Sequence, residues 1–281
     1  MSGQEAGTDR RTTEQIREHY EIEKELAGRL RSASKEERRA LYTAVYNELF
    51  RRVPHHTQLA RKASPEETAR DIAADLRFLG RFLAPEGVFL EIGAGDCAVS
   101  FEIAKSVRRV YAVDVSHEIT RGLAPPPNFE LVISDGSSIP LPPGSVRVAY
   151  SNQLMEHLHP DDAALQLRNI YDALAPGGVY ACVTPNRLGG PHDISRNFDR
   201  VATGFHLKEY TIGELRALFR RAGFGRVRAF VGSKGTYAGL PPFPLVALET
   251  ILALLPHGLR KRAAYVLPFR KLMVIRLVGW K

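Results

Sequence analysis

The chain has few cysteines and no apolar run long enough to cross a membrane. Cys97 and Cys182 are the only two thiols among 281 residues, which offers no disulfide framework and suits a reducing compartment. Residues 1–11 are polar, lack the apolar stretch of a signal peptide, and are predicted to be a disordered tail. The apolar run 245–255 is too short for a membrane span, which needs about 20 residues. A cytoplasmic location is therefore the default expectation.

Acidic residues are scarce at the C-terminal end. Residues 224–281 contain ten Lys or Arg and a single acid, Glu249, so the net charge of +8 arises entirely there. Such an end could face an anionic partner, either a phosphorylated or carboxylated substrate or a membrane surface, or it could be a solvated basic rim. Cys/His clusters and paired-carboxylate signatures are also lacking, and no metal site is predicted.

The most informative segment combines a glycine turn with a later acid. Residues 88–92 form a buried apolar run, Gly93 and Gly95 follow it, and a second apolar run ends at Asp114. Glycines lack the Cβ that would obstruct a sharp turn or a ligand lying against the backbone, while the acid can accept hydrogen bonds from ribose hydroxyls. This pattern predicts a nucleotide-binding half-fold.

Two ligands compete for this turn. With Ala98 in the third place, the turn fits the dinucleotide fingerprint, in which a helix N-terminus holds a pyrophosphate. However, the carboxylates of Glu91 and Asp96 flank the turn and would repel a diphosphate, whereas they suit a sulfonium or ammonium group. The electrostatics favour S-adenosylmethionine over NAD.

Over roughly residues 65–281 the chain resembles the class I S-adenosylmethionine-dependent methyltransferases. The motifs that carry the resemblance are residues 91–95, Asp114, 134–136, 152–158 and 174–179, in the family's order. One departure is Cys97, which stands where the family often has a third glycine. The resemblance implies an α/β, Rossmann-like methyltransferase fold with a doubly wound, mostly parallel, seven-stranded sheet whose last strand is antiparallel.

The resemblance also implies a set of residues that bind S-adenosylmethionine. Gly93, Ala94 and Gly95 would pass under the methionine and ribose, and Glu91 would help to anchor the ammonium group. The remaining implied contacts are Asp114 and Val115 at the ribose, Asp135, Gly136 and Ser137 at the adenine, and Asn152 near the methionine.

Three domain-level segments are predicted. After the tail, residues 12–63 form a helical extension with helices at 13–31 and 34–53, either a lid over the binding cleft or a packing or dimerisation appendage. Residues 64–281 form the methyltransferase domain, opened by a helix at 64–83 and interrupted by an apolar and basic insertion at 235–270. The apolar part of that insertion could lie in a membrane interface, line an acceptor pocket, or form a buried core or dimer helix.

Methyl transfer to a hydroxyl calls for a general base, and histidine suits that role near neutral pH. His157 follows the fourth strand, although it and Glu156 could instead organise the cofactor side. The long connection 186–210 carries His192, which Asp193 or another carboxylate could orient, and His206, an alternative base or substrate contact that could instead belong to the capping turn of a helix predicted at 208–222. These residues are the predicted acceptor-side catalytic candidates.

The sequence therefore predicts methyl transfer to a small molecule, above all to a hydroxyl of a natural product, sugar or lipid-like metabolite. Rival functions are a C- or N-methyltransferase on a metabolite or RNA, an NAD-dependent oxidoreductase, and a non-catalytic cofactor-binding scaffold. The expected partner is an anionic or apolar small molecule. The absence of stacking aromatics argues against nucleic acid, while peripheral membrane contact and a homodimer both stay open.

Overall fold

The structure is a computed structural model that describes residues 11–56, 65–115, 124–233 and 235–281. The predicted tail, apart from Arg11, lies outside these residues, as does the end of the predicted extension at 57–63. Both described cysteines are free and buried.

Within the described residues, eight strands form one sheet in the order β3-β2-β1-β4-β5-β8-β6-β7. Strands β1 to β5 pair in parallel, β8 lies antiparallel between β5 and β6, and β7 is antiparallel to β6. The bounds are β1 Val88–Ile92, β2 Arg109–Asp114, β3 Phe129–Ile133, β4 Val146–Asn152, β5 Leu174–Pro185, β6 Arg226–Ser233, β7 Thr236–Leu240 and β8 Val274–Trp280. The predicted fold class is confirmed, with one strand more than predicted among the described residues.

The additional strand is β7, at the edge of the sheet. Its residues alternate between exposed and half-buried and include only one large aliphatic side chain, Leu240, so the apolar period is weak. Pairing with β6 is what makes the segment a strand, and Gly239 allows it because a Cβ there would lie 2.9 Å from Cζ of Phe230. Tertiary contact therefore decided this element.

Helices cover both faces of the sheet. Buried residues of α5 and α6 and of the N-terminal extension form one core cluster, while those of α3 and α4 form the other. The bounds are α1 Thr13–Ser32, α2 Lys35–Arg52, α3 Pro65–Leu79, α4 Ala98–Ala104, α5 Pro160–Ala173, α6 Ile212–Ala222, α7 Pro242–Ala253 and α8 His257–Ala264. None of the helices in the described residues is long and apolar enough to cross a bilayer.

The structure tests two of the predicted helix starts. Ser34 and Glu37 form a capping box at α2, in agreement with the predicted start of that helix. The predicted start at Lys208 is wrong, because α6 begins at Ile212, where Thr211 and Glu214 form the capping box. The connection 186–210 is also more ordered than predicted: it contains short 3₁₀ turns at Arg187–Gly189 and Ile194–Asn197, and Asn186 and Tyr210 bridge its ends.

The carboxyl ends of β1 to β5 meet at one edge of the sheet, which is where open α/β sheets bind ligands. A cavity of about 590 Å³, lined by Arg109, Ser145 and their neighbours, opens at the opposite edge. The motif residues lie at the carboxyl edge, which is therefore the candidate site.

Candidate active site

The glycine turn after β1 has the backbone geometry that its sequence predicts. Gly93 and Gly95 adopt φ values of +68° and +53°, and the Gly95 N–H donates to Oδ2 of Asp114 over 2.9 Å. A Cβ on Gly95 would meet nothing within 4 Å, so its backbone is open to a ligand. Cys97 also takes a left-handed conformation, with φ at +57°, so the residue that replaces the family's third glycine keeps a glycine-like backbone.

Buried carboxyl groups surround this turn. Glu91 is 6% exposed, and its Oε2 accepts from the Ser100 N–H and hydroxyl, at 3.1 and 2.6 Å. Burial raises the pKa of Glu91 to about 8. Glu91 thus holds the start of α4 and is mainly protonated near neutral pH unless a cation lies beside it, so this site favours a cationic ligand over a diphosphate.

Asp75 on α3 also lies among the carboxyl side chains around the turn, and it was not predicted from the sequence. The Asn152 side-chain N–H donates to Oδ2 of Asp75 over 3.3 Å, and burial raises the pKa of Asp75 to about 6. Asp75 lies outside the motif that begins at Glu91. The only signal for it in the sequence was its position on the helix that precedes β1.

The loop after β3 is organised by Asp135. Its Oδ1 accepts from the Ser137 and Ser138 N–H groups at 3.0 and 2.8 Å, and its Oδ2 lies 2.9 Å from Nε of Arg39. Burial opposes ionisation, but these hydrogen bonds outweigh it and lower the pKa of Asp135. The predicted adenine-side residues are therefore held in one rigid turn.

The helical extension contacts the loops that follow β2, β3, β4 and β5. Its contacts to the first two are Thr43 to the Val115 carbonyl at 2.7 Å and Arg39 to Asp135. After β4, Arg38 and Tyr42 donate to Asp162, and the Tyr42 hydroxyl accepts from the His159 N–H. After β5, Arg31 donates to the Thr203 and Gly204 carbonyls, and Glu23 accepts from the Phe205 N–H. The extension therefore lies across the whole candidate site.

Tyr42 provides a test of how firmly the extension is attached. Its hydroxyl donates to Asp162 and accepts from the His159 N–H, both over 2.9 Å, and its ring packs on Gly136. We expect Tyr42→Phe to lower the free energy of unfolding by about 1–2 kcal/mol, because the His159 N–H loses its partner and Asp162, which keeps its bonds from Arg38, loses a third donor. Urea denaturation measures this, with Tyr171→Phe as a control that removes a hydroxyl from a half-buried ring on α5. An unchanged midpoint for Tyr42→Phe would contradict a firmly held extension.

On the acceptor side, the turn after β4 meets the connection 186–210. Three side chains meet there, each with one nitrogen or oxygen atom within 4.8 Å of those of the other two: Glu156, His157 and His206. The His157 ring is 4.9 Å from that of His206 and hydrogen bonds to the Phe205 carbonyl over 3.1 Å. Burial lowers the pKa of His157 to about 3, so this imidazole is neutral. Glu156 is fully buried, and its Oε1 has no hydrogen-bond partner among the described residues.

The carboxylate that orients a histidine here is Glu209. Nδ1 of His206 lies 2.7 Å from Oε1 of Glu209. Burial disfavours the imidazolium, but the hydrogen bond to Glu209 and the surrounding carboxylates outweigh it and raise the pKa of His206. Burial likewise opposes ionisation of Glu209, while the bond from His206 lowers its pKa. In the sequence, the signal for this pair was that Glu209 follows His206 by three residues, and it was not used in the prediction.

The predicted pairing of His192 with Asp193 is wrong. Nε2 of His192 lies 2.9 Å from the Asn186 carbonyl, and its backbone N–H donates to Glu209. Asp193 instead caps the turn that follows it and accepts from the Gly204 N–H over 3.0 Å. Asp193 is an Asx-type cap, so its side chain is turned towards its own loop and away from the neighbouring imidazole.

A second group of metal-ligand type lies in the extension, where atoms of His19, Glu23 and His56 are within 4.8 Å of one another. An Arg11 guanidinium nitrogen lies 2.6 Å from Nδ1 of His19, and Nε2 of His19 lies 2.7 Å from Glu23. With an arginine donor at Nδ1, the imidazole proton is placed on Nε2, facing Glu23. The two atoms are close, but Nε2 of His19 makes no hydrogen bond of regular geometry among the described residues.

Comparison with known proteins agrees with this arrangement. A family described as a methyltransferase domain matches residues 90–182. A relative from Mycolicibacterium smegmatis, named a probable S-adenosylmethionine-dependent methyltransferase, is 32% identical over 136 residues, which are 48% of this chain and 51% of the relative. One of the same description from Mycobacterium tuberculosis is 30% identical over 185 residues, 64% of this chain and 57% of that protein. The chain thus spans little more than half the length of these relatives.

Solved structures support the fold. An S-adenosylmethionine-dependent methyltransferase from Archaeoglobus fulgidus has a TM-score of 0.53 and 18% identity, covering 75% of this chain and 94% of that one. One from Mesorhizobium loti has a TM-score of 0.50 and 17% identity, covering 74% and 98%. Residues 90–182 therefore match a methyltransferase domain, and the chain is similar in sequence and fold to proteins described as S-adenosylmethionine-dependent methyltransferases.

Proposed function

We propose that this protein transfers a methyl group from S-adenosylmethionine to a hydroxyl of a small-molecule acceptor of the natural product, sugar or lipid-like class. The observation that carries the proposal is the buried His206–Glu209 pair, which lies beside the turn after β4. That turn contacts the glycine loop through Leu154, whose Cδ1 is 2.9 Å from the position of a Cβ on Gly93. A base so placed lies next to the predicted methionine end of the cofactor.

His206 is the general base in this proposal. S-adenosylmethionine supplies an electrophilic methyl group on a sulfonium, so the acceptor needs a lone pair and a destination for its proton. Glu209 would hold Nδ1 of His206, leaving Nε2 to accept the hydroxyl proton as the acceptor oxygen bonds to the methyl carbon and the carbon–sulfur bond breaks, with S-adenosylhomocysteine as the leaving group. Glu209 then stabilises the imidazolium that forms, and no metal is required. The prediction of no metal site stays a prediction.

Aromatic side chains pack around Phe205 and His157, the two neighbours of this base. Tyr46 of α2 stacks on Phe205 with ring centroids 4.9 Å apart, and its edge faces His157 at 6.2 Å. Burial raises the pKa of Tyr46 well above its usual value, so its hydroxyl stays protonated. An aromatic lining suits an apolar or amphiphilic acceptor. Because α2 supplies Tyr46, we propose that the extension acts as the lid that excludes water and opens to admit the acceptor.

The cofactor would lie along the glycine turn with its adenosyl end towards β3. Asp114 would accept from the ribose hydroxyls, and the turn of Asp135, Gly136 and Ser137 would hold the adenine beneath α2. At the methionine end, Glu91 and Asp75 are the nearest buried carboxyl groups, and the ammonium group is the cation that suits them.

Asp75 gives a prediction with a defined pH dependence. Because burial raises the pKa of Asp75 to about 6 and an ammonium partner favours its ionised form, binding of S-adenosylmethionine should weaken as the pH falls below about 6. Asp75→Asn should raise the dissociation constant about tenfold near neutral pH, since a charge-assisted hydrogen bond is lost, and should remove this part of the pH dependence. Calorimetry measures both quantities, and Asp172→Asn, at an exposed carboxylate at the end of α5, is the control. A pH profile unaltered in Asp75→Asn would exclude the contact.

The activity itself is tested with S-adenosylmethionine that carries a deuterated methyl group. The protein is incubated with fractionated metabolite extract, labelled products are found by mass spectrometry, and NMR identifies the methylated atom. An O-methyl product supports the proposal, whereas a C- or N-methyl product or labelled RNA assigns a rival acceptor. No labelled product despite calorimetric binding of S-adenosylhomocysteine indicates a scaffold, and binding of NADH instead indicates an oxidoreductase.

A further inference from the structure

The insertion after β6 carries an apolar surface that the rest of the described chain leaves uncovered. On α7, Phe243, Ile251 and Leu254 are 81, 54 and 79% exposed, and their spacing places them on one side of the helix. The opposite side, with Leu245 and Leu252, is buried in the core. The helix is therefore not the fully buried core helix that was one of the sequence-based alternatives.

A second exposed apolar group follows on and after α8. Leu259, Tyr265, Val266 and Leu267 are each more than half exposed. We call these residues, with those of the α7 stripe, the apolar rim: Phe243, Ile251, Leu254, Leu259, Tyr265, Val266 and Leu267. Single exposed apolar residues are ordinary, but a group of this size within one short segment indicates an interaction surface.

Positive charge accompanies the apolar rim. The same segment carries Arg260, Lys261, Arg262, Arg270 and Lys271. In residues 241–271, all of which are described, the one acid is Glu249, which is 3% exposed and accepts from Asn186 and the Ile212 N–H. Residues 241–271 thus combine exposed aromatic and aliphatic side chains with basic groups and contain no exposed acid.

We propose that this face docks on the surface of an anionic lipid bilayer. Large apolar side chains that enter the interface, beside Lys and Arg that attract anionic headgroups, are the combination that holds a peripheral protein on such a membrane. A second copy of the chain fits less well, because a two-fold interface would set this basic face against the same basic face, with no exposed acid from residues 241–271 to pair with it. The apolar rim alone would suit either a bilayer or a second copy of the chain, and the positive charge favours the bilayer.

The docking face adjoins the acceptor loop. The Tyr265 hydroxyl donates to the Gly189 carbonyl over 3.3 Å, and a Cβ on Gly189 would lie 3.4 Å from the His192 ring. A docked protein would therefore hold the connection 186–210 near the lipid surface. On the proposed function, this favours an acceptor dissolved in the bilayer, although docking itself does not depend on catalysis.

Co-sedimentation with vesicles tests the docking. We expect the full chain to sediment with phosphatidylcholine vesicles that contain phosphatidylglycerol, to bind pure phosphatidylcholine at least tenfold more weakly, and to be released by high salt. The double variants Phe243→Ser/Leu254→Ser and Lys261→Glu/Arg262→Glu should each lose at least tenfold in vesicle affinity. The controls are Ile133→Ser, at a side chain 47% exposed at the end of β3, and Lys105→Glu, at one 68% exposed just after α4.

Two outcomes overturn the proposal. One is equal affinity of the wild type and both double variants for anionic vesicles. The other is no vesicle binding together with a dimer, seen by analytical ultracentrifugation, that Phe243→Ser/Leu254→Ser converts to a monomer, which assigns the face to a second copy. Methyl transfer to a water-soluble acceptor is measured in parallel, so that failure of docking is distinguished from failure of the proposed activity.

Discussion

His206→Ala should lower kcat for methyl transfer by roughly 10²- to 10⁴-fold, the usual contribution of a positioned general base. The variant removes the nitrogen that accepts the hydroxyl proton, while the glycine turn and Asp114 are left intact. The dissociation constant of S-adenosylmethionine should therefore stay within about twofold of the wild type. Single-turnover kinetics and calorimetry on the same preparation separate the two effects.

Glu209→Gln distinguishes a catalytic pair from a structural one. Because Glu209 raises the pKa of His206, its removal should move the acid limb of the kcat/KM profile to lower pH and also lower the rate at the plateau. A purely structural loss would lower the rate without moving that limb. If His157→Ala, His192→Ala and His206→Ala all keep wild-type rates with cofactor binding intact, no histidine base is used and the acceptor is one that needs none.

Asp114→Ala should weaken S-adenosylmethionine binding by about 2 kcal/mol or more, roughly a 30-fold rise in the dissociation constant. The carboxylate would bond both ribose hydroxyls, and its Oδ1 and Oδ2 accept from the N–H groups of Val115 and Gly95. Its loss therefore removes ligand contacts and also loosens the glycine turn. Calorimetry with S-adenosylhomocysteine gives the same comparison without turnover.

The control for Asp114 is Asp172→Ala, which removes an exposed carboxylate at the end of α5. It should leave both the affinity and the midpoint of thermal unfolding unchanged. Asp114→Asn keeps one acceptor oxygen and should lie between the wild type and Asp114→Ala. Affinity of Asp114→Ala within twofold of the wild type, in a protein that unfolds normally, would remove Asp114 from the site.

The sequence predicted the features that depend on local chemistry. Gly93 and Gly95 stand where positive φ is needed, Ser34 and Glu37 form the expected capping box, and the apolar runs became the parallel strands. Each depends on residues close together in the chain, so a short window of sequence contains the cause. The same reasoning placed Asp114 beside the glycine turn, where the Gly95 N–H bonds to it.

Pairings across long stretches of chain were decided only by the tertiary structure. Asp193 follows His192 directly yet turns into its own loop, whereas Glu209 reaches the His192 N–H, 17 residues away, because the connection 186–210 folds back on itself. Only its bond to His206, three residues away, is local. Asp75 joins the cofactor side for the same reason, since α3 packs against the sheet beside Asn152. Local sequence thus determined the nucleotide half-fold, while packing determined which carboxylates meet which histidines, because contact there depends on how distant segments meet and not on their spacing along the chain.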